Sequence, residues 1–179
     1  MSMHSRLGLA LLLVAGADGA APAADTPNLG EPVSQHDIAA WDISIPPDGT
    51  GLPPGSGTPQ QGAALFAQRC AVCHGEKGGG GPNDRLVGGA GTLTGDQPPV
   101  KTVGSYWPYA TTLFDYIRRA MPLPQPQSLT NPEVYALTAY ILNLNGIVGD
   151  GEVIDAASLP KVKMPNRAAF FPVYPGNLK

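Results

Sequence analysis

Cys70-Ala71-Val72-Cys73-His74 is the stretch of this chain whose residue types and spacing can do chemistry. Two thiols separated by two residues and followed at once by an imidazole form C-x-x-C-H, the attachment signature of c-type haem. The thiols add across the haem vinyl groups, and the spacing sets the sulfurs a vinyl-to-vinyl distance apart. The adjacent histidine then meets the iron as its proximal ligand. Two other chemistries use similar residues. A structural zinc site needs about four protein ligands, and the chain has no further cysteine and no histidine near the motif. A thioredoxin-like disulfide expects a surrounding βαβ pattern, and none is present around residues 70–73. The expected cofactor is therefore one covalently attached haem c, held by Cys70 and Cys73, with His74 on the iron.

The second axial position is the next question. A methionine thioether is soft and neutral and favours ferrous iron. Once an N-terminal leader is removed, Met121 and Met164 are the methionines left. Met121 lies 47 residues beyond His74, at a helix-to-loop break before proline, where a flexible side chain can swing over the iron. Met164 sits in the basic, proline-bounded stretch Lys161-Val162-Lys163-Met164-Pro165, and His36 in the N-terminal arm. Met121 is the expected distal ligand; Met164, His36 and an open position remain the alternatives. Tyr106, Trp107 and Tyr109 can donate to the haem propionates or serve as aromatic core beside the ring. Lys101 and Arg118 can pair with the propionates, because anions in a low-dielectric crevice need compensation, or can face solvent.

Three helices must position these groups. Thr58-Pro59 is a hydroxyl cap followed by proline in the first turn, opening a helix that runs through Gly62, Leu65, Phe66 and Arg69 into the motif. Gly62 and Phe66 share a face, so Gly62 can let another helix approach closely. A second helix is expected over residues 112–120, with Leu113, Phe114 and Ile117 on one side, ending before Pro122. Thr130-Asn131-Pro132-Glu133 is a capping box. Val134, Leu137, Ile141 and Leu144 follow at helical spacing, and Gly146 ends that helix. No useful period-2 run occurs, so the fold class is all-α, about three helices plus long loops around one haem, with irregular N- and C-terminal arms. The long segment from Gly75 to Ala110 contains Gly78–Gly81, which must be a turn or a mobile loop. Its residues 98–101 and 106–109 are the expected structured parts of a wrap over the ring. Trp41 is expected to lie on the core, while Phe170 and Phe171 fit either the core or a partner surface.

The opening of the chain reads as a secretory leader. Residues 7–17 are apolar, and Ala21-Pro22-Ala23 offers a small-x-small site, so cleavage is expected near Ala23 or Ala24. Eleven apolar residues are too few for the roughly 20 that span a bilayer, and no later stretch is longer. The domain reading is a signal peptide at 1–24, an N-terminal arm at 25–57, a haem domain at 58–148 and a C-terminal extension at 149–179. Haem c is attached outside the bacterial inner membrane, so the leader and the motif support each other and point to the periplasm. A formal charge of −3 and scattered lysines exclude a nucleic-acid surface. With 23 glycines and 20 prolines the backbone must run largely in loops, and a haem supplies the flat apolar body such a chain needs.

With C-x-x-C-H, the Met121-Pro122 step and the helix containing Leu129-Thr130, Glu133 and Ala139-Tyr140-Ile141-Leu142 in view, residues 58–148 resemble class I cytochromes c. Further segments extend the likeness: Ile38-Ala39-Ala40-Trp41-Asp42-Ile43, residues 47–57, residues 100–110 and Met164-Pro165-Asn166-Arg167. These are similar to cytochromes serving periplasmic molybdenum-dependent sulfite dehydrogenases and the related sulfur dehydrogenase of thiosulfate oxidisers (SoxD-like haem subunits). The resemblance implies a non-catalytic electron carrier. It would take single electrons from the molybdenum enzyme and pass them to a downstream cytochrome or oxidase of the respiratory chain. It also implies that the family's haem residues carry over at Cys70, Cys73, His74 and Met121. Some sulfur-dehydrogenase cytochromes carry two haem domains, whereas this chain has one C-x-x-C-H, which favours the single-haem sulfite type. A general diffusible cytochrome for another dehydrogenase or oxidase is the competing reading, and a five-coordinate haem sensor or peroxidase-like protein the third.

Overall fold

The computed structural model describes residues 29–171. The chain divides into Met1–Ser34 and Gln35–Lys179, and every helix and strand described belongs to the second unit. The expected leader lies outside the described residues. Among the described residues no helix is long and apolar enough to cross a membrane.

Three long helices build the domain. Following a short helix α1 (Gln35–Trp41) and the strand β1 (Ser56–Gly57), α2 covers Pro59–Arg69, α3 Ala71–His74, α4 Ala110–Ala120 and α5 Asn131–Leu144. Strand β2 (Ile154–Asp155) pairs antiparallel with β1, a two-residue ladder in an otherwise all-α fold. Thr58 caps α2 as expected, and Gln61 completes a capping box there that the sequence reading overlooked. Thr130 and Glu133 form the expected box at α5. The second long helix begins two residues earlier than expected, at Ala110.

The core lies between α2, α4 and α5. Phe66, Phe114, Tyr135, Leu137 and Leu142 are fully buried. The Phe114 and Tyr135 rings meet at 4.4 Å, and Phe66 tilts against Tyr140 at 5.4 Å. Each such aromatic pair contributes about 0.5–1.5 kcal/mol beyond the area it buries. Gly62 is where α2 and α5 touch: a Cβ there would overlap the Ala136 carbonyl, so the close approach foreseen from the sequence is present.

Side chains of α4 and α5 hold the N-terminal arm. The buried Asp115 carboxylate accepts the Ile45 amide at 2.8 Å and binds Arg119 through two nitrogens, the closer at 2.6 Å. That carboxylate holds the Arg119 guanidinium above its ordinary pKa. Arg118 donates to the Ile43 carbonyl at 3.0 Å, Thr111 to Pro47 at 3.1 Å and Tyr135 to Pro53 at 2.9 Å. Burial pushes the Tyr135 phenol up to about 12. These bonds fix residues 43–53 by their backbone. No apolar side chain of α1 is needed, and Trp41 is 87% exposed rather than laid on the core. The arm also contains a helix, α1, where the sequence suggested none.

Candidate haem site

The motif occupies the corner after α2. Cys70 ends α2 with its amide bonded to the Phe66 carbonyl at 2.9 Å. The single turn α3 then carries Ala71, Val72, Cys73 and His74. Gly75 closes it in the left-handed region, φ +78°, where a Cβ would overlap the Gly80 backbone. The following loop folds back on the motif: Gly80 N donates to His74 O at 2.8 Å and Asn83 N to Cys73 O at 2.9 Å. The Gly78–Gly81 stretch is therefore an ordered turn, with Gly78 buried.

Cys70, Cys73, His74 and Met121 line one cavity of about 400 Å³, within the usual size range of cofactor pockets. Both cysteines are unpaired and half-buried. Burial, reinforced by the neighbouring Cys73, pushes the Cys70 thiol up to about 11, so it stays protonated at neutral pH. The His74 Nδ1 lies 2.8 Å from the Asp84 carbonyl oxygen. A carbonyl only accepts, so Nδ1 carries the proton and the lone pair of the neutral ring is on Nε2, the ligating form. Phe66, Leu113, Ile117, Leu129, Leu137 and Ile141 complete an apolar lining. The donor set of two thiols, an imidazole and a thioether on an apolar cavity fits an iron porphyrin joined by thioether bonds. No cluster of His, Cys, Asp or Glu able to hold a bare metal ion occurs among the described residues.

The remaining candidates divide. Lys101 and Trp107 line the cavity, and Trp107 stands edge-on to Tyr116 at 6.0 Å. Tyr106 and Tyr109 are not part of its lining; Tyr106 packs beneath Lys101 and beside Phe170, and Tyr109 beneath Arg167. Arg118 is turned to the arm carbonyl instead. Met164 is buried in the core away from the cavity lining, and the His36 side chain is 95% exposed. The loop from Gly75 to Ala110 supplies Asn83, Asp84, Arg85 and Leu86 to the wall. Sequence reasoning missed what pins it. Asn145, the C-cap of α5, accepts from Gly88 N at 3.1 Å and donates to Leu86 O at 3.2 Å. Its only sequence signal was a polar residue at a helix end.

Comparison with known proteins adds to this geometry. The Cytochrome c family profile matches residues 59–145. A chain of the crystal structure of the sulfane dehydrogenase SoxCD from Paracoccus pantotrophus is similar at 44% identity and a TM-score of 0.77. That match covers 82% of this chain and 72% of the other. No curated protein sequence gives a significant match. The family binds haem c covalently, so the cofactor is haem c and the chain is a haem electron carrier. A mostly helical class I fold, a haem-ready cavity and these matches agree, and the chain belongs to the cytochrome c family.

Proposed function

We propose that this chain is a periplasmic single-haem cytochrome that takes electrons one at a time from a molybdenum-containing sulfite or sulfur dehydrogenase. It passes them to a downstream cytochrome or oxidase and performs no catalysis itself. The observation that carries this reading is the 44% identity, over 82% of the chain, to a chain of a sulfane dehydrogenase. The likeness reaches beyond the haem domain into the arms. Export by the N-terminal leader belongs to the same proposal.

In this reading Cys70 and Cys73 form the thioether bonds, His74 is the proximal iron ligand and Met121 the distal one. The bound haem supplies a one-electron ferric–ferrous couple. His74 is held in its ligating tautomer by the Asp84 carbonyl. Met121, placed at the C-cap of α4 and in the cavity wall, would hold the iron from its thioether, so that no open position would be left for a substrate. Phe66, Leu113 and Ile141 give the cavity an apolar wall. Val72 and Leu123, 77% and 65% exposed, stand where the cavity meets solvent and form the apolar centre of a docking surface. Transient redox encounters bury little, below about 1,200 Å² in total, and this patch suits one. A permanent subunit would need the arms as well.

The test is sulfite-driven reduction of the purified cytochrome, followed by absorbance, with and without the candidate molybdenum enzyme. Rapid reduction only when both are present is expected. Reduction by an unrelated dehydrogenase but not by the sulfite enzyme would select a general diffusible cytochrome instead.

A further inference from the structure

The segment after β2 has no part in the function above, yet it is built into the domain. Leu159 and Met164 anchor it in the core. Beyond that anchor, residues 166–170 meet residues 106–109 three times. Asn166 Nδ2 donates to the Tyr106 carbonyl at 2.8 Å. The Arg167 guanidinium lies 4.5 Å from the centre of the Tyr109 ring. The Phe170 ring stands edge-on to Tyr106 at 5.3 Å. Tyr106 is not in the cavity wall, but its ring carries the Lys101 ammonium at 5.1 Å, and Lys101 is in that wall. Lys101 has no carboxylate partner within salt-bridge distance among the described residues.

We propose that residues 166–170 are a positioning strap that acts through Tyr106 to hold Lys101 at the cavity wall, and so raises the reduction potential of the haem. The inference rests on the haem reading above. A fixed cation near a redox centre favours the reduced form, which carries one positive charge fewer. A cation free to swing into water acts through a higher effective dielectric and loses most of that influence. Asn166 fixes the backbone at Tyr106, and Phe170 supports the ring that carries Lys101. The strap contributes no group to the cavity; its effect is to restrict where Lys101 can go.

The experiment measures the midpoint potential of the haem-loaded full chain and of its Asn166→Ala/Phe170→Ala variant. The potential of the variant is expected to fall, while Phe171→Ala, at a residue 80% exposed, leaves it unchanged. In a Lys101→Met background the strap substitutions are expected to cause no further fall, the non-additivity that marks action through one residue. Phe170→Leu, which keeps apolar bulk but removes the ring, is read the same way if the double variant folds poorly. A lowered thermal midpoint with an unchanged potential would make the strap a stability element only. An equal fall in both backgrounds would overturn the route through Lys101. A chain without haem absorbance would end the cofactor reading itself, a result distinct from either.

Discussion

The Nδ1 atom of His74 lies 2.8 Å from the backbone carbonyl oxygen of Asp84, ten residues further along. The ring is thus oriented by a loop, and the loop is held by glycines. At Gly75, φ is +78° and a Cβ would collide with the Gly80 backbone. Gly75→Ala should therefore displace the 80–84 turn and loosen His74. The expected outcome is a smaller haem-to-protein absorbance ratio and a lower thermal midpoint. A fully loaded variant of unchanged stability would show that the turn does not govern the histidine.

Met121 and Met164 separate cleanly by substitution. Met121→Ala should abolish the methionine–iron charge-transfer band, lower the potential and let the ferrous protein bind carbon monoxide. Met164 is 5% exposed within the core, so Met164→Ala should cost about 2–5 kcal/mol of stability, the usual range for a buried methionine. It should keep the band. The reverse pattern would exchange the two roles.

The contact of α2 with α5 predicts a sign. Helix propensity alone makes Gly→Ala stabilising by about 1 kcal/mol. At Gly62 the added methyl would overlap the Ala136 carbonyl and the Tyr140 Cβ, and overpacking costs about 1–3 kcal/mol. Gly62→Ala should destabilise the haem-loaded protein in denaturant titration. A raised midpoint would mean that the two helices can separate freely.

Acid should weaken the caps. The Thr130 amide and hydroxyl donate to the Glu133 carboxylate and hold its pKa below the ordinary 4.5. The Ser158 and Ala157 amides, with the Ser158 hydroxyl, hold Asp155 below 3.8. A depressed native pKa means that the unfolded chain binds the proton first. These contacts therefore stabilise fully above about pH 4.5 and lose their effect as pH falls through the lower native values. Urea midpoints measured from pH 6 downwards should fall, and Glu133→Gln should flatten the slope. Thr130→Ala should cost about 1 kcal/mol at neutral pH.

Much of this molecule was legible from local chemistry. The C-x-x-C-H motif needs only adjacent residues, and the α2 and α5 starts are fixed by hydroxyl caps within three residues of their partners, so both could be read directly. Gly62 was legible because helical periodicity puts it on the Phe66 face. What escaped depends on distant partners. Asp115 lies 70 residues from the Ile45 amide it accepts, and no spacing rule links them. Arg118 looked free to meet a propionate, and its actual acceptor is a carbonyl 75 residues away. Trp41 looked like core, but the arm is fastened by backbone hydrogen bonds and by the buried Ile45 side chain, which leaves the Trp41 ring in solvent. Asn145 reads as an ordinary helix end until the loop it clasps is in place.

The most direct test is the mass of the purified protein together with its thiol count. The account predicts a polypeptide heavier by one haem, with no titratable thiol and a reduced-form spectrum of c type, and a Cys70→Ala/Cys73→Ala variant that holds no covalent haem. A colourless protein with the bare polypeptide mass and two reactive cysteines would contradict it.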